Sequence, residues 1–109
     1  NKPPIDCGNT NFRAEIFNES EVYYADIVND GYIDIKGFII KDVSVGTKTI
    51  LEESSEKVSA GETKKVTFYN VSSSQTEILI VPKVVSLKDP TNQTIGTCKD
   101  EYGVKLTVP

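Results

Sequence analysis

Two cysteines, sixteen carboxylates and five tyrosines are the residues of this chain with chemistry to offer, and no histidine accompanies them. Without an imidazole, neither a Ser-His-Asp nor a Cys-His nucleophile can be assembled. The glycine-rich turns that cradle phosphate or a dinucleotide do not occur either. Neighbouring carboxylates such as Glu52 and Glu53 exist, but glycoside cleavage needs a pair facing each other across a substrate cleft, which a domain of 109 residues rarely supplies. The chain therefore reads as a non-enzyme, with no cofactor and no small-molecule substrate.

The stretch nearest to a cation loop is Asp26 to Gly37. In the EF-hand register Asp26, Asp30, Gly31 and Asp34 would take positions 1, 5, 6 and 9. Val28 at position 3 and Gly37 at position 12 do not fit, and the bidentate glutamate is missing. An Asn-Asp-Gly turn with solvated carboxylates accounts for these residues without a metal, so none is expected.

Cys7 and Cys98 lie 91 positions apart. With no histidine and no third cysteine they cannot complete a zinc site, and there is no CxxC redox motif. Two readings remain, a structural disulfide or two buried thiols. Small extracellular domains use disulfides and cytosolic ones do not, so the disulfide is the expected form. Closing so long a loop would stabilise the fold by roughly 4–5 kcal/mol through loop-closure entropy. Three N-x-S/T sequons, at Asn18, Asn70 and Asn92, agree with an extracellular setting. All three fall where strands are expected to end, where a glycan is tolerated.

Net charge is −4, and the basic residues are scattered singly. A surface that tracks phosphates needs a clustered positive patch, so neither nucleic acid nor an anionic membrane surface is an expected partner. No apolar run reaches the roughly 20 residues of a membrane helix. Any membrane attachment would run through a segment upstream of Asn1. The absence of methionine, even at position 1, suggests a piece of a longer chain.

The elements that must position these residues are strands. Residues 1–6, with Pro3-Pro4, read as an extended linker, and residues 7–109 as one domain. Phe12, Ala14 and Ile16 alternate with Arg13, Glu15 and Phe17, the period of a strand with one buried face. After a turn at 18–21, a second strand runs from Val22 to Val28. Asn29-Asp30-Gly31 reads as a hairpin turn. Residues 32–45 read as one long strand, with Ile33, Ile35, Ile39, Val43 and Val45 on the core face and Phe38 and Ile40 opposite. A bulge at Gly37 is the alternative, and it would turn Phe38 and Ile40 inward. Thr47–Leu51 is a short strand, and Glu52–Glu62 an acidic loop anchored by Val58. Thr63–Tyr69 alternates with Val66 and Phe68 inward. Glu77–Val85 is apolar on both faces and so central, with a bulge or bend expected at Pro82. Lys88–Asn92 is a turn, and Thr94–Cys98 with Tyr102–Val108 forms a closing hairpin.

Seven to eight short strands without a helix, with turn signals between them, indicate an all-β, immunoglobulin-like antiparallel β-sandwich. Phe17, Phe38, Ile40 and Tyr69 point away from their strands' core faces in this register. Such a patch marks a contact surface, for self-association or for other surface-protein subunits.

The order of elements is also familiar. Cys7-Gly8-Asn9 opens into a strand. The corner Val28-Asn29-Asp30-Gly31 leads into the long strand, Val58-Ser59-Ala60-Gly61-Glu62-Thr63 precedes an alternating one, and a second cysteine comes before the last. This resembles the immunoglobulin-like domains of archaeal surface proteins, above all the heads of archaeal type IV pilins and archaellins, and also the adhesion-type CARDB modules. The resemblance covers nearly the whole chain, and its motifs are turn chemistry and strand order. It implies an extracellular, cell-surface structural module, the head of a filament subunit or an adhesion protein. The apolar helix that precedes such heads in pilins is not in this sequence. A ligand-binding module, recognising glycan or a surface-layer protein through loops 29–31 and 52–62 at one end of the sandwich, is the alternative.

The cysteine pairing has a direct consequence. Intact mass under non-reducing conditions is expected to be unchanged by an alkylating reagent, and to gain two adducts once the protein is reduced. Two adducts without reduction would exclude the bridge.

Overall fold

A computed structural model describes residues 7–44, 46, 48–85 and 95–109. The linker at 1–6, the turn at 88–92 and the Asn92 sequon lie outside these residues, as do Val45 and Thr47. The described chain forms eight strands: β1 (Phe12–Glu19), β2 (Val22–Asn29), β3 (Gly37–Asp42), β4 (Thr49–Ser54), β5 (Thr63–Phe68), β6 (Glu77–Val85), β7 (Ile95–Thr97) and β8 (Val104–Thr107). Two short 3-10 turns, Cys7–Asn9 and Asp100–Tyr102, are the only helical pieces among the described residues.

The strands make two antiparallel sheets packed face to face. One has the order β1-β2-β5, and the other β4-β3-β6, with β7 and β8 both on the far side of β6. This is an immunoglobulin-like order in which the fourth strand pairs with the third instead of joining the sheet of the first.

The three-stranded sheet follows the alternation of its sequence. Phe12, Ala14 and Ile16, then Tyr23, Ala25 and Ile27, then Val66 and Phe68 face the core. The β1–β2 hairpin closes on two residues, Ser20 (φ 53°) and Glu21 (φ 68°), both left-handed. That is the conformation of a tight I′ turn, which suits the right-handed twist of the strands but favours Asn-Gly over Ser-Glu. Asn18 helps to hold it, its Oδ1 accepting the Glu21 N–H at 3.1 Å.

The opposite wall is built by Phe38 and Ile40 of β3, Ile78 and Ile80 of β6, and the partly buried Val104 and Leu106 of β8. Phe38 and Ile40 are both fully buried, which corrects the register that put them outside. The expected strand 32–45 is not continuous. Ile35 makes an isolated bridge with Val58, and the ladder resumes at Gly37. Ile35 and Phe38 thus lie in one cluster although their parity differs. Glycine is needed at the reset, because a Cβ on Gly37 would stand 2.5 Å from the Ser54 carbonyl oxygen.

Ile39 turns to the other face, but it is covered there. With Leu79, Val81, Val84 and the partly buried Ile33 and Val43 it forms a second cluster around Cys7 and Cys98, which are joined as a disulfide. The segment from Cys7 thus covers the outer face of the larger sheet. It then crosses to the start of β1, where Asn11 O accepts the Asp30 N–H at 2.8 Å.

Four further expectations are revised. The last two strands do not form a hairpin: β7 pairs with Lys83–Val85 and β8 with Glu77–Ile80, in tandem along one side of β6. Pro82 falls in the gap between them, and the β3–β6 register runs through it unbroken. Its carbonyl accepts the Cys98 N–H across that gap at 3.0 Å. A strand residue points N–H and C=O to the same side, so the donor that proline lacks would have faced the interruption. The strand after Gly46 runs to Ser54 instead of Leu51, because Ile40–Glu52, Ile39–Glu53 and Phe38–Ser54 continue the ladder past a register shift at Ile40/Lys41.

Finally, Asn29-Asp30-Gly31 is no hairpin turn but the crossover from one sheet to the other. Asn29 is fully buried. Its Nδ2 donates to Ile33 O at 2.9 Å and Val58 O at 3.0 Å, and its Oδ1 accepts the Gly31 N–H at 3.0 Å. Its backbone N–H donates to Glu62 O, and its carbonyl accepts the N–H of Gly61. Gly61 holds φ +81°, a conformation that disfavours a side chain. Asn29→Ala removes three of these five bonds at a buried crossover. A loss of about 2–4 kcal/mol in unfolding free energy is expected, measured by chemical denaturation. A loss within about 0.5 kcal/mol would show that the corner is held by its backbone alone.

Candidate interaction surface

The outer face of the three-stranded sheet carries every second residue of its strands. Register sets them in rows: Arg13, Val28 and Thr63; Glu15, Asp26 and Lys65; Phe17, Tyr24 and Thr67. The last row holds an aromatic pair. Phe17 stacks on Tyr24 with ring centroids 5.4 Å apart and planes at 24°. Lys65 Nζ lies 3.9 Å from the Tyr24 ring centroid, a cation–π contact. The Tyr24 hydroxyl donates to Glu19 Oε2 at 3.3 Å. Desolvation, then the nearby carboxylates of Glu19 and Asp26, raise the Tyr24 phenol above its ordinary pKa. It stays a neutral donor at physiological pH.

At the hairpin end of this face Val22 is 48% exposed, and Tyr69, one residue beyond β5, is 84% exposed. Phe17 and Tyr69, two of the four residues expected at an interface, thus belong to a surface patch. Phe38 and Ile40 do not join it, since they are core. Tyr24 and Val22 complete it and were not singled out from sequence. The parity of Tyr24 relative to Phe17 across a short turn was the signal that could have found it. Asn18 and Asn70, both exposed, stand at the same end of the sheet. Glycans there would flank the patch.

The carboxylates go elsewhere. Asp30 pairs with Arg13 at 2.7 Å. Asp34 accepts the Ala60 N–H at 2.9 Å and lies 3.8 Å from both Lys36 and Lys57. Asp26 faces the Glu15–Lys65 row, so the three aspartates of the calcium comparison do not converge. Among the described residues no group of three metal-ligating side chains forms. Glu52 Oε1 accepts the N–H groups of Tyr69 and Asn70, each at 2.9 Å, while Glu53 pairs with Lys83. These two neighbours therefore serve different partners. Glu52 spans the open side of the sandwich between β4 and β5, a groove of about 520 Å³ that Lys64 and Glu56 also line.

On the opposite face of the molecule Asp100 binds two ammonium groups, Lys41 at 2.7 Å and Lys48 at 2.9 Å. These bonds tie the turn after Cys98 to β3 and to the segment before β4. Compared with known proteins, the chain matches no family model, no curated protein and no solved structure.

The hydrogen bonds from Lys41 and then Lys48 hold the Asp100 carboxyl below the ordinary aspartate range, against a smaller effect of desolvation. Asp42 is lowered too, by the Ser44 hydroxyl and then the Ser44 N–H. A carboxylate depressed in the folded state stabilises it fully above the unfolded pKa. That contribution fades as pH falls through the folded value. Melting temperature is thus expected to drop as pH goes below about 4. Asp100→Asn is expected to melt lower at neutral pH and to show a flatter acid limb. An acid limb of unchanged slope in thermal melts would exclude Asp100 as a contributor.

Proposed function

We propose that this chain is a non-enzymatic extracellular module, the head domain of a surface-filament subunit or adhesion protein of the pilin, archaellin or CARDB kind, and that it meets a neighbouring subunit through the outer face of its three-stranded sheet. The observation that carries the reading is the patch of Phe17, Tyr24, Val22 and Tyr69 on a sheet face that no other described segment covers. Aromatic side chains at the centre of a contact, with a charged rim, are what interfaces use. Here the rim is supplied by Glu15, Asp26, Lys65 and Glu19. The Cys7–Cys98 bond supports an oxidising compartment.

The alternative, ligand recognition by loops at one end, draws on a separate observation. The Asn29–Gly31 corner and the 58–62 turn are hydrogen-bonded together, and Tyr32 beside them is 88% exposed. A glycan reader would place its sugar on that ring.

The double variant Phe17→Ser with Tyr69→Ser tests the leading reading. Burying such side chains contributes roughly 1.5–3 kcal/mol each, so self-association or binding to a partner subunit is expected to weaken about tenfold or more, read by analytical ultracentrifugation or pull-down. The melting temperature should hold, because neither side chain is core. Unchanged association would retire the patch. Glycan binding that Tyr32→Ala abolishes would favour the loop reading.

A further inference from the structure

We propose that the Cys7–Cys98 bond is a mechanical bypass: tension applied along the chain passes from Cys7 through the two sulfurs to Cys98 and leaves along residues 99–109, so that the chain between the two cysteines cannot be drawn out. The inference rests on topology and stands whether or not the domain belongs to a filament.

Seven of the eight strands, β1 to β7, lie inside the loop that the bridge closes. Both halves of the core are built there, save for the contribution of β8. A force that enters ahead of Cys7 therefore cannot peel the β1 ladder from its end, and it reaches the loop only where residues 99–109 are fastened to it. The covalent path is shorter by 91 residues. The bridge is also well placed to take such a load, since Cys7 and Cys98 are 8% and 5% exposed and packed among Ile39, Leu79, Val81 and Val84.

What remains under tension is the segment after Cys98, and it is fastened in two steps. Asp100, two residues on, is held by Lys41 and Lys48. Then β8 lies along β6, from Val104 opposite Ile80 to Thr107 opposite Glu77. Cys98 is bonded beside Pro82, so the direction from Cys98 to the end of β8 runs along β6. Tension between these points loads the β8 ladder in shear, all bonds together, instead of opening them one by one. Val108 adds a bond to Thr76 O at 2.9 Å.

Force spectroscopy on the chain tethered at both ends tests this. Under non-reducing conditions the released length is expected to stay within about 40 Å, the contour of residues 99–109. With dithiothreitol, or in the Cys7→Ser, Cys98→Ser variant, it should lengthen by roughly 300 Å. For a variant that no longer folds, the total length at full extension is read instead, and it should exceed that of the bridged chain by the same roughly 300 Å. Asp100→Asn should lower the force of the short release. Asp30→Asn, which breaks the Arg13 pair inside the closed loop, should leave that force unchanged. A release of hundreds of ångströms without reductant would overturn the proposal. So would an equal loss of force from both aspartate variants, since tension would then be reaching β1, away from the points where residues 99–109 are fastened.

Discussion

A buried primary amide must satisfy two donors and an acceptor away from water, and an unmet one costs as much as a good hydrogen bond contributes. Asn29 meets this demand in only one arrangement of its surroundings. Its side chain needs the Ile33 and Val58 carbonyls and the Gly31 N–H, and its backbone needs Glu62 and Gly61. These partners come from the end of one sheet, the crossover, and the turn that leads into β5. Fixing Asn29 therefore fixes where β2 ends, how the chain passes to the other sheet, and where β5 starts. The hydrophobic clusters stabilise the sandwich, but apolar contacts alone are tolerant of sliding. The amide supplies the directionality that they lack.

The two sheets differ in how much of their structure could be read from sequence, and the reason is burial on one face or on two. β1, β2 and β5 each have a solvent face, so polar residues mark it and the alternation points inward without ambiguity. β3 and β6 are buried on both sides. In Gly37–Asp42 and Glu77–Val85 apolar residues occupy both parities, and parity no longer says which face is which. The Ile33-Ile35 rhythm then favoured carrying one register through Gly37, whereas the strand is interrupted after the Ile35–Val58 bridge and restarts at Gly37, where only glycine fits beside Ser54 O. Similarly, two short strands either side of a polar turn look like a hairpin. Only the partner, β6, reveals that they lie end to end. The fold class was legible; the pairing of the last strands was not, because pairing is a long-range property.

The same logic sorts the surface residues. Phe17 and Tyr69 sit on or just past strands with a solvent face, so it could be inferred that neither belongs to the core. Phe38 and Ile40 sit on a strand without one, and the inference failed. Tyr24 was overlooked because Val22–Val28 is apolar or aromatic at most positions, so its outward residues do not stand out. Asp100 could not have been found at all. It meets Lys41 across 59 residues of sequence, and its charge is one among sixteen carboxylates until the fold brings the lysines to it.

What distinguishes the two outer faces is what lies over them. On the larger sheet Ile39, Leu79, Val81 and Val84 would be an apolar surface in water if the segment at Cys7 did not lie across them. Hydrophobic area alone would hold that segment weakly, since the described residues 7–11 contribute a single backbone bond to the rest of the fold, from Asp30 to Asn11. The disulfide makes the cover permanent, and so permits β3 and β6 to be apolar on both sides. No comparable strap crosses the smaller sheet among the described residues. Apart from Val28 its apolar content gathers at one end, where Phe17 and Tyr24 cover part of each other and Lys65 covers part of Tyr24. A face that is mostly polar or charged, with a small aromatic end held in place by stacking, tolerates water and still has area to bury. The covered face and the open face are thus two solutions to one problem, and only the open one leaves room for another molecule.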